Sequence, residues 1–288
     1  MTRQPTETEV LEYSDPRPHC EKGRVRIALM QLYAEHRAAG MLPTSCRFLF
    51  YELVTRKVIA KGGKLRPDQV VIKALVALRE QGPIPWEAIV DETREVVDFT
   101  GSETIAADLT LYLNAARIDP WDGDPPLILT ESRSLTGVLR DLCRDYRCRI
   151  ASTNGQVGGF LRTKVAPLLE PDARVGYLGD FDLCGGMIED NTRRVLESEV
   201  GELGWRRLAL TEGQYEYDLP VITKSDRRFV NGEGDHEAVE TEALSQSLII
   251  DIVRDWLDGL LPQPLESIHE SEEERREILR RLIEEMAP

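Results

Sequence analysis

Apolar residues recur at helical spacing through residues 23–39, GRVRIALMQLYAEHRAA, and the pattern stops at Gly40. A second helix is predicted over PTSCRFLFYELVTRKV, where Thr44 or Ser45 can cap the free amides that follow Pro43. KGGKLR reads as a turn. PDQVVIKALVALREQG predicts a third helix, with Pro67 in its first turn and Gly82 at its end. PIPWEAIVD reads as a short extended piece. Three helices followed by an extended segment predict a winged-helix (helix-turn-helix) domain over residues 22–105, behind an N-terminal arm of residues 1–21.

The rhythm changes near residue 125. Short apolar runs (PLILTES, CRIASTNG, RVGYLGDFD, WRRLAL) alternate with helical ones (LTGVLRDLCRDY, VGGFLRTKVAPLL, GGMIEDNTRRVLESEV). That alternation predicts βαβ units around a parallel sheet, an α/β domain over residues 125–262, reached through a connection at 106–124. Ligands of such sheets gather at the carboxyl ends of the strands. Residues 263–288 mix acids and bases at spacings of three and four, the pattern of an exposed charged helix.

Charge sharpens the two-part picture. The net charge is −15, yet the stretch from Lys22 to Arg79 holds 12 Lys+Arg against three acids, a local +9 that leaves −24 for the rest. A basic N-terminal module on an acidic remainder suits a protein that meets a polyanion with one part only. No apolar run approaches the length of a membrane span, the N-terminus lacks a signal-peptide core, and the five cysteines form no CxxC pair. A cytoplasmic protein with reduced thiols, without a zinc site and without a membrane partner, is expected.

The candidate chemistry lies at strand ends. Glu131 closes the first α/β strand, and Asp180 and Asp182 close the third, on alternate positions that face one side of an extended chain. If the two strands are parallel neighbours, three carboxylates converge and must share a cation or a proton. Oxygen ligands favour Mg²⁺. Gly185 and Gly186 would let the backbone turn closely into the next helix. The competing reading makes Asp180 and Asp182 capping and turn residues. A dinucleotide GxGxxG and a phosphate-binding GxxxxGK[ST] are both absent, so ATP hydrolysis by this chain alone is not expected.

Taken together, the glutamate after one strand and the DxDxxG after a later one resemble a Toprim domain, the metal-binding fold of topoisomerases, primases and several nucleases. RFLFY, residues 47–51, is similar to the segment that carries the nucleophilic tyrosine in topoisomerase VI A subunits and the related meiotic break-forming proteins. TNGQVGGFLRTKV lies where those A subunits have a Gly-Gln turn and an arginine, and ETEAL, residues 240–244, resembles a late acidic segment of theirs. The resemblance spans roughly residues 40 to 250 and implies a stand-alone, reduced relative.

It implies that Tyr51 is the nucleophile, that Glu131, Asp180 and Asp182 bind Mg²⁺ with support from Glu240 and Glu242, and that Arg47 and Arg162 contact phosphate. Arg47 would also assist Tyr51. Lys64, Arg66 and Lys73 are further candidate DNA contacts within the basic stretch. On a helical wheel Tyr51 falls at the border of the apolar stripe beside Arg47, where a packed ring could still present its hydroxyl. The implied activity is a Mg²⁺-dependent, type IIB topoisomerase-like transesterase that makes a 5′-phosphotyrosyl linkage on double-stranded DNA as a homodimer, with a separate ATPase subunit as a further partner. Two alternatives stand beside it: a Toprim nuclease that hydrolyses DNA with metal-activated water, of the plasmid- or phage-defence type, and a DNA-binding module with a non-catalytic metal site.

Overall fold

The computed structural model describes residues 20–60, 67–90, 104–154, 158–215, 219–225 and 235–286. Helices α1 (Glu21–Ala38), α2 (Cys46–Thr55) and α3 (Pro67–Glu80) form where the periodicity predicts them. Ser45 caps α2, its hydroxyl accepting from Phe48 N at 3.2 Å. Thr44 uses its backbone instead, accepting from Val90 N at 2.8 Å and donating to Ala88 O at 3.0 Å. The predicted extended piece is therefore a 3-10 turn, Trp86–Ala88, followed by one bridge between Thr44 and Ile89. Among the described residues this is a three-helix layer with a single bridge, a coarser object than a winged helix.

The second half is α/β. Strands β1 (Leu127–Thr130), β2 (Arg149–Ser152), β3 (Arg174–Leu178) and β4 (Gly204–Ala209) form one parallel sheet in the order β2-β1-β3-β4. Alternating side chains serve its two faces. Ile128, Leu178 and Leu208 pack on one side against α5 (Arg133–Asp145) and α7 (Gln246–Asp258). Leu127, Leu129, Val175 and Tyr177 pack on the other, against α6 (Leu183–Val200) and the irregular helical stretch 161–168. A small antiparallel pair, β5 (Ile222–Ser225) and β6 (Asp235–Ala238), leads the chain back to the sheet edge.

Helix α2 has two partners, and this positions the site. Leu49 and Leu53 face the helical layer with Leu29, Leu32 and Leu78, whereas Phe48 and Tyr51 enter the core of the α/β half with Ile128, Leu244 and Ile249. At about 1.5–3 kcal/mol for each large side chain fully buried, the second contact welds the helical layer to the sheet. A wheel shows only the stripe, not what packs on its border.

Two expectations need correction. The connection 106–124 contains a helix, α4 (Ile105–Ala115), capped by Thr104, whose hydroxyl accepts from Ala107 N at 3.1 Å. Its sequence, IAADLTLYLNA, is apolar nearly all round and so lacks the one-faced period that marks a surface helix. The C-terminal helix α8 (Leu265–Met286) is not exposed along its whole length. Ile268 is buried, and Glu272, only 4% exposed, takes a two-oxygen ion pair from Arg147 at 2.5 and 2.6 Å.

Candidate functional site

Because β1 and β3 pair in parallel, with Thr130 opposite Leu178, their carboxyl ends open on one edge. Glu131 begins the turn after β1, its N–H bonded to Leu178 O at 2.9 Å, and its carboxylate accepts from Asp180 N at 3.2 Å. Asp180 is 8% exposed. Its Oδ1 accepts from the backbone N–H of Thr241 at 3.0 Å and from the Thr241 hydroxyl at 3.3 Å. Glu131 and Asp180 thus meet at this edge, through a bond from backbone to carboxylate.

The two aspartates do not share one face of a continuing strand. β3 ends at Leu178, and Phe181 turns away to make a two-bond bridge with Val239 at 2.8 and 3.1 Å. Asp182 is the N-cap of α6, its Oδ1 accepting from Gly185 N at 2.6 Å. The capping reading therefore describes Asp182, while Asp180 is held by Thr241. Gly185 is required sterically, since a Cβ there would lie 2.3 Å from Asp180 O. Gly186 has open space around it, so only the first of the two glycines serves a close turn.

A second cluster joins this edge from α2. Arg47 pairs with Glu240 at 2.8 Å and with Glu242 at 3.4 Å, and the Tyr51 hydroxyl donates to Glu240. Ser134, in the first turn of α5, donates to Glu242 at 2.5 Å. Burial works against the charge on Arg47, but Glu242 and then Glu240 outweigh it and raise the guanidinium pKa. Tyr51 is 3% exposed, with its ring in the α/β core and edge-on to Phe50. The ring is packed, as the helical wheel suggested, and its hydroxyl meets Glu240. Tyr51 also borders a cavity with Glu242 and Ser245.

Of the other candidates, Arg162 pairs with Glu199 of α6 at 2.9 Å, and Lys73 is exposed on α3. Lys64 and Arg66 lie outside the described residues. Three further residues shape the edge. Thr241 holds Asp180. Arg207 of β4 donates to the carbonyls of Leu210, Gly179 and Asp180 at 2.6, 2.9 and 2.7 Å and pairs with Glu189 of α6. Tyr177, fully buried and stacked on Trp205 at 5.5 Å, lies so close to residue 179 that a Cβ there would sit 2.6 Å from its ring. Burial, and next the charge of Glu131, push the Tyr177 phenol pKa well up. The sequence signal for Arg207 was a charged residue in a strand with Trp205 and Ala209 at alternate positions, the same face of a regular strand, where a sheet accepts charge only with partners.

Asp180, Phe181, Asp182, Leu183, Arg207 and Glu237 border a cavity of about 450 Å³. Its carboxylates are hard oxygen donors of the kind that suits Mg²⁺. The donor chemistry fits, and the described backbone bonds of Asp180 and Asp182 fall on one oxygen of each carboxylate. Among the described residues, however, no group of three or more His, Cys, Asp or Glu side chains stands in ligating arrangement. Side-chain rotation at this edge would have to complete such a site. No described helix is long and apolar enough to cross a membrane. No family model, curated protein or solved structure matches the chain.

Proposed function

We propose that this protein cleaves double-stranded DNA by phosphodiester hydrolysis at the carboxylate edge of its parallel sheet, as a Toprim-like nuclease. The observation that carries the proposal is the parallel pairing of β1 with β3, which brings Glu131 to Asp180 beside an open cavity. Glu131, Asp180 and Asp182 would hold Mg²⁺. A hard divalent ion bound there supplies charge stabilisation at the phosphate and acidifies a water. The chain's own part is positional: Thr241 and Arg207 fix Asp180 through its carboxylate and its carbonyl, and the cap at Asp182 aims α6 at the edge. Lys22, Arg24, Arg37, Lys57 and Lys73 are exposed on the helical layer, a winged-helix-like module in this reading, and would track the phosphate backbone.

Tyr51 separates hydrolysis from transesterification. A nucleophile must reach phosphorus, and a ring only 3% exposed in a shared core favours hydrolysis. One observation favours the second reading: the Tyr51 hydroxyl donates to Glu240, which Arg47 orients, an arrangement of nucleophile, base and orienting cation. In that case the phenol proton passes to Glu240, the phenolate oxygen attacks phosphorus as the bond from phosphorus to the 3′ oxygen breaks, and the 3′ oxygen takes a proton from water to leave as a hydroxyl. The product is a 5′-phosphotyrosyl bond, made by a homodimer under control of a separate ATPase subunit.

Supercoiled plasmid incubated with the full chain and Mg²⁺, then treated with detergent with or without protease, tests both. Hydrolysis predicts cutting by wild type and by Tyr51→Phe, none by Asp180→Asn, and no protein left on the DNA ends. Asn keeps the oxygen that Thr241 holds, so loss of cutting there reads the charge and not the fold. Cutting abolished in Tyr51→Phe, with protein retained on 5′ ends in wild type, selects the transesterase. Undiminished cutting by Asp180→Asn refutes both, and no cutting by wild type, with DNA binding that weakens with salt, leaves a binding module.

A further inference from the structure

Helix α4 is apolar nearly all round, and such helices are ordinarily buried. Here Leu113 is covered, at 6% exposure, while Ile105, Leu109, Leu111 and Tyr112 are exposed at 82, 48, 62 and 68%. Ile105, Leu109 and Tyr112 recur at i, i+4 and i+7 and so form one stripe. The C-terminal half of α8 carries a second stripe, Ile278, Leu279 and Leu282, exposed at 59, 46 and 49%.

The two stripes adjoin. Glu272 accepts from Ile118 N at 2.7 Å, and one turn further along α8 Arg276 donates to Ala116 O at 3.0 Å. Moving forward on α8 therefore moves backward toward the start of α4. An antiparallel pair of this kind sets residues 278–282 beside the turns that carry Leu109 and Tyr112. The result is one apolar face across two helices.

We infer that a second copy of this chain covers this face, the α4 and α8 helices of the two protomers meeting across a two-fold axis as a four-helix contact. Area supports a copy as the occupant. With each large side chain presenting about 150–200 Å² when bare, the exposed fractions of the six stripe residues amount to on the order of 600 Å², approaching the roughly 800 Å² per partner of a standard interface. Monomers seldom leave more than a few hundred Å² of contiguous apolar surface in water. Charge agrees with an isologous contact. Glu277 and Arg281 pair with each other at 3.1 Å one turn apart beside the α8 stripe, and an antiparallel crossing near Leu279 would let the same two charges exchange partners across the axis.

This assignment is independent of the proposed nuclease activity. Sedimentation equilibrium of the full chain at micromolar concentration tests it. Wild type is expected at the mass of two chains, and Leu279→Glu and Ile105→Lys at the mass of one, with circular dichroism and melting unchanged. Ile105, at 82% exposure, contributes little to the fold of a single chain, so its variant guards against trivial unfolding. Leu168→Glu, half-exposed in the stretch that packs on the opposite side of the sheet, is expected to keep the two-chain mass. A one-chain mass for wild type, as when another segment of the chain covers the face, overturns the inference. So does a two-chain mass for both Leu279→Glu and Ile105→Lys.

Discussion

Replacing Arg207 with Met should cost about 3–5 kcal/mol, the range for breaking one side of a buried charge pair. The guanidinium gives three bonds of 2.6–2.9 Å to the carbonyls of Leu210, Gly179 and Asp180 and a fourth to Glu189, whose other oxygen accepts from Trp205 Nε1 at 2.8 Å. Methionine fills much of the volume but leaves three carbonyls and a carboxylate to find water. Arg207 and Glu189 are 21 and 16% exposed, so water replaces part of the loss and the lower end of the range is expected. Lysine keeps the charge but cannot reproduce the fork, and should lose about half as much. Adding Glu189→Gln to Arg207→Met removes the stranded carboxylate, and the pair should be non-additive by about 1 kcal/mol or more. Urea unfolding followed by circular dichroism and tryptophan fluorescence reads all four variants. A loss below about 1 kcal/mol for Arg207→Met at unchanged m-value would refute the clamp.

Other predictions follow from the same edge and from the helical layer. Gly179→Ala puts a Cβ 2.6 Å from the Tyr177 ring, which Trp205 blocks from moving, and should destabilise by about 1–3 kcal/mol in urea unfolding; Gly186→Ala, in open space inside α6, should instead stabilise by about 0.5–1 kcal/mol. Burial, and next the charge of Asp68, push the Cys46 thiol up to about 11. A raised thiol pKa favours the folded state fully below the unfolded value, about 8.5, and that contribution is lost as pH rises through about 11. Iodoacetamide at pH 8 followed by peptide mass mapping should therefore label Cys46 far more slowly in the native chain than in urea. Equal rates would show that the thiol is not held protonated.

Much of the frame was legible along the chain. Helices α1, α2 and α3, the four strands and their parallel order of construction follow from apolar period, from Pro67 and Ser45 at helix starts, and from strand-length apolar runs. The positions of Glu131 and Asp180 just past β1 and β3 were legible too, because the strand-length apolar runs stop there. What failed did so for physical reasons. Asp182 looks the same in a strand pattern whether the strand runs on or a helix starts there, and the end of β3 at Leu178 makes it the cap of α6. The helix α4 has no polar face to announce it. Arg147 and Glu272 are 125 positions apart, so no local pattern links them.

Local physics, then, specified the elements: which stretches are helix or strand, where they start, and which charged residues stand at strand ends. Only the tertiary structure decided partnership. It paired β1 with β3, brought Thr241 to Asp180, set Glu240 on the hydroxyl of Tyr51, and packed α2 between two cores. The first three of those contacts join residues 48 to 189 positions apart, and their energies depend on distance in space, to which the order of residues is indifferent.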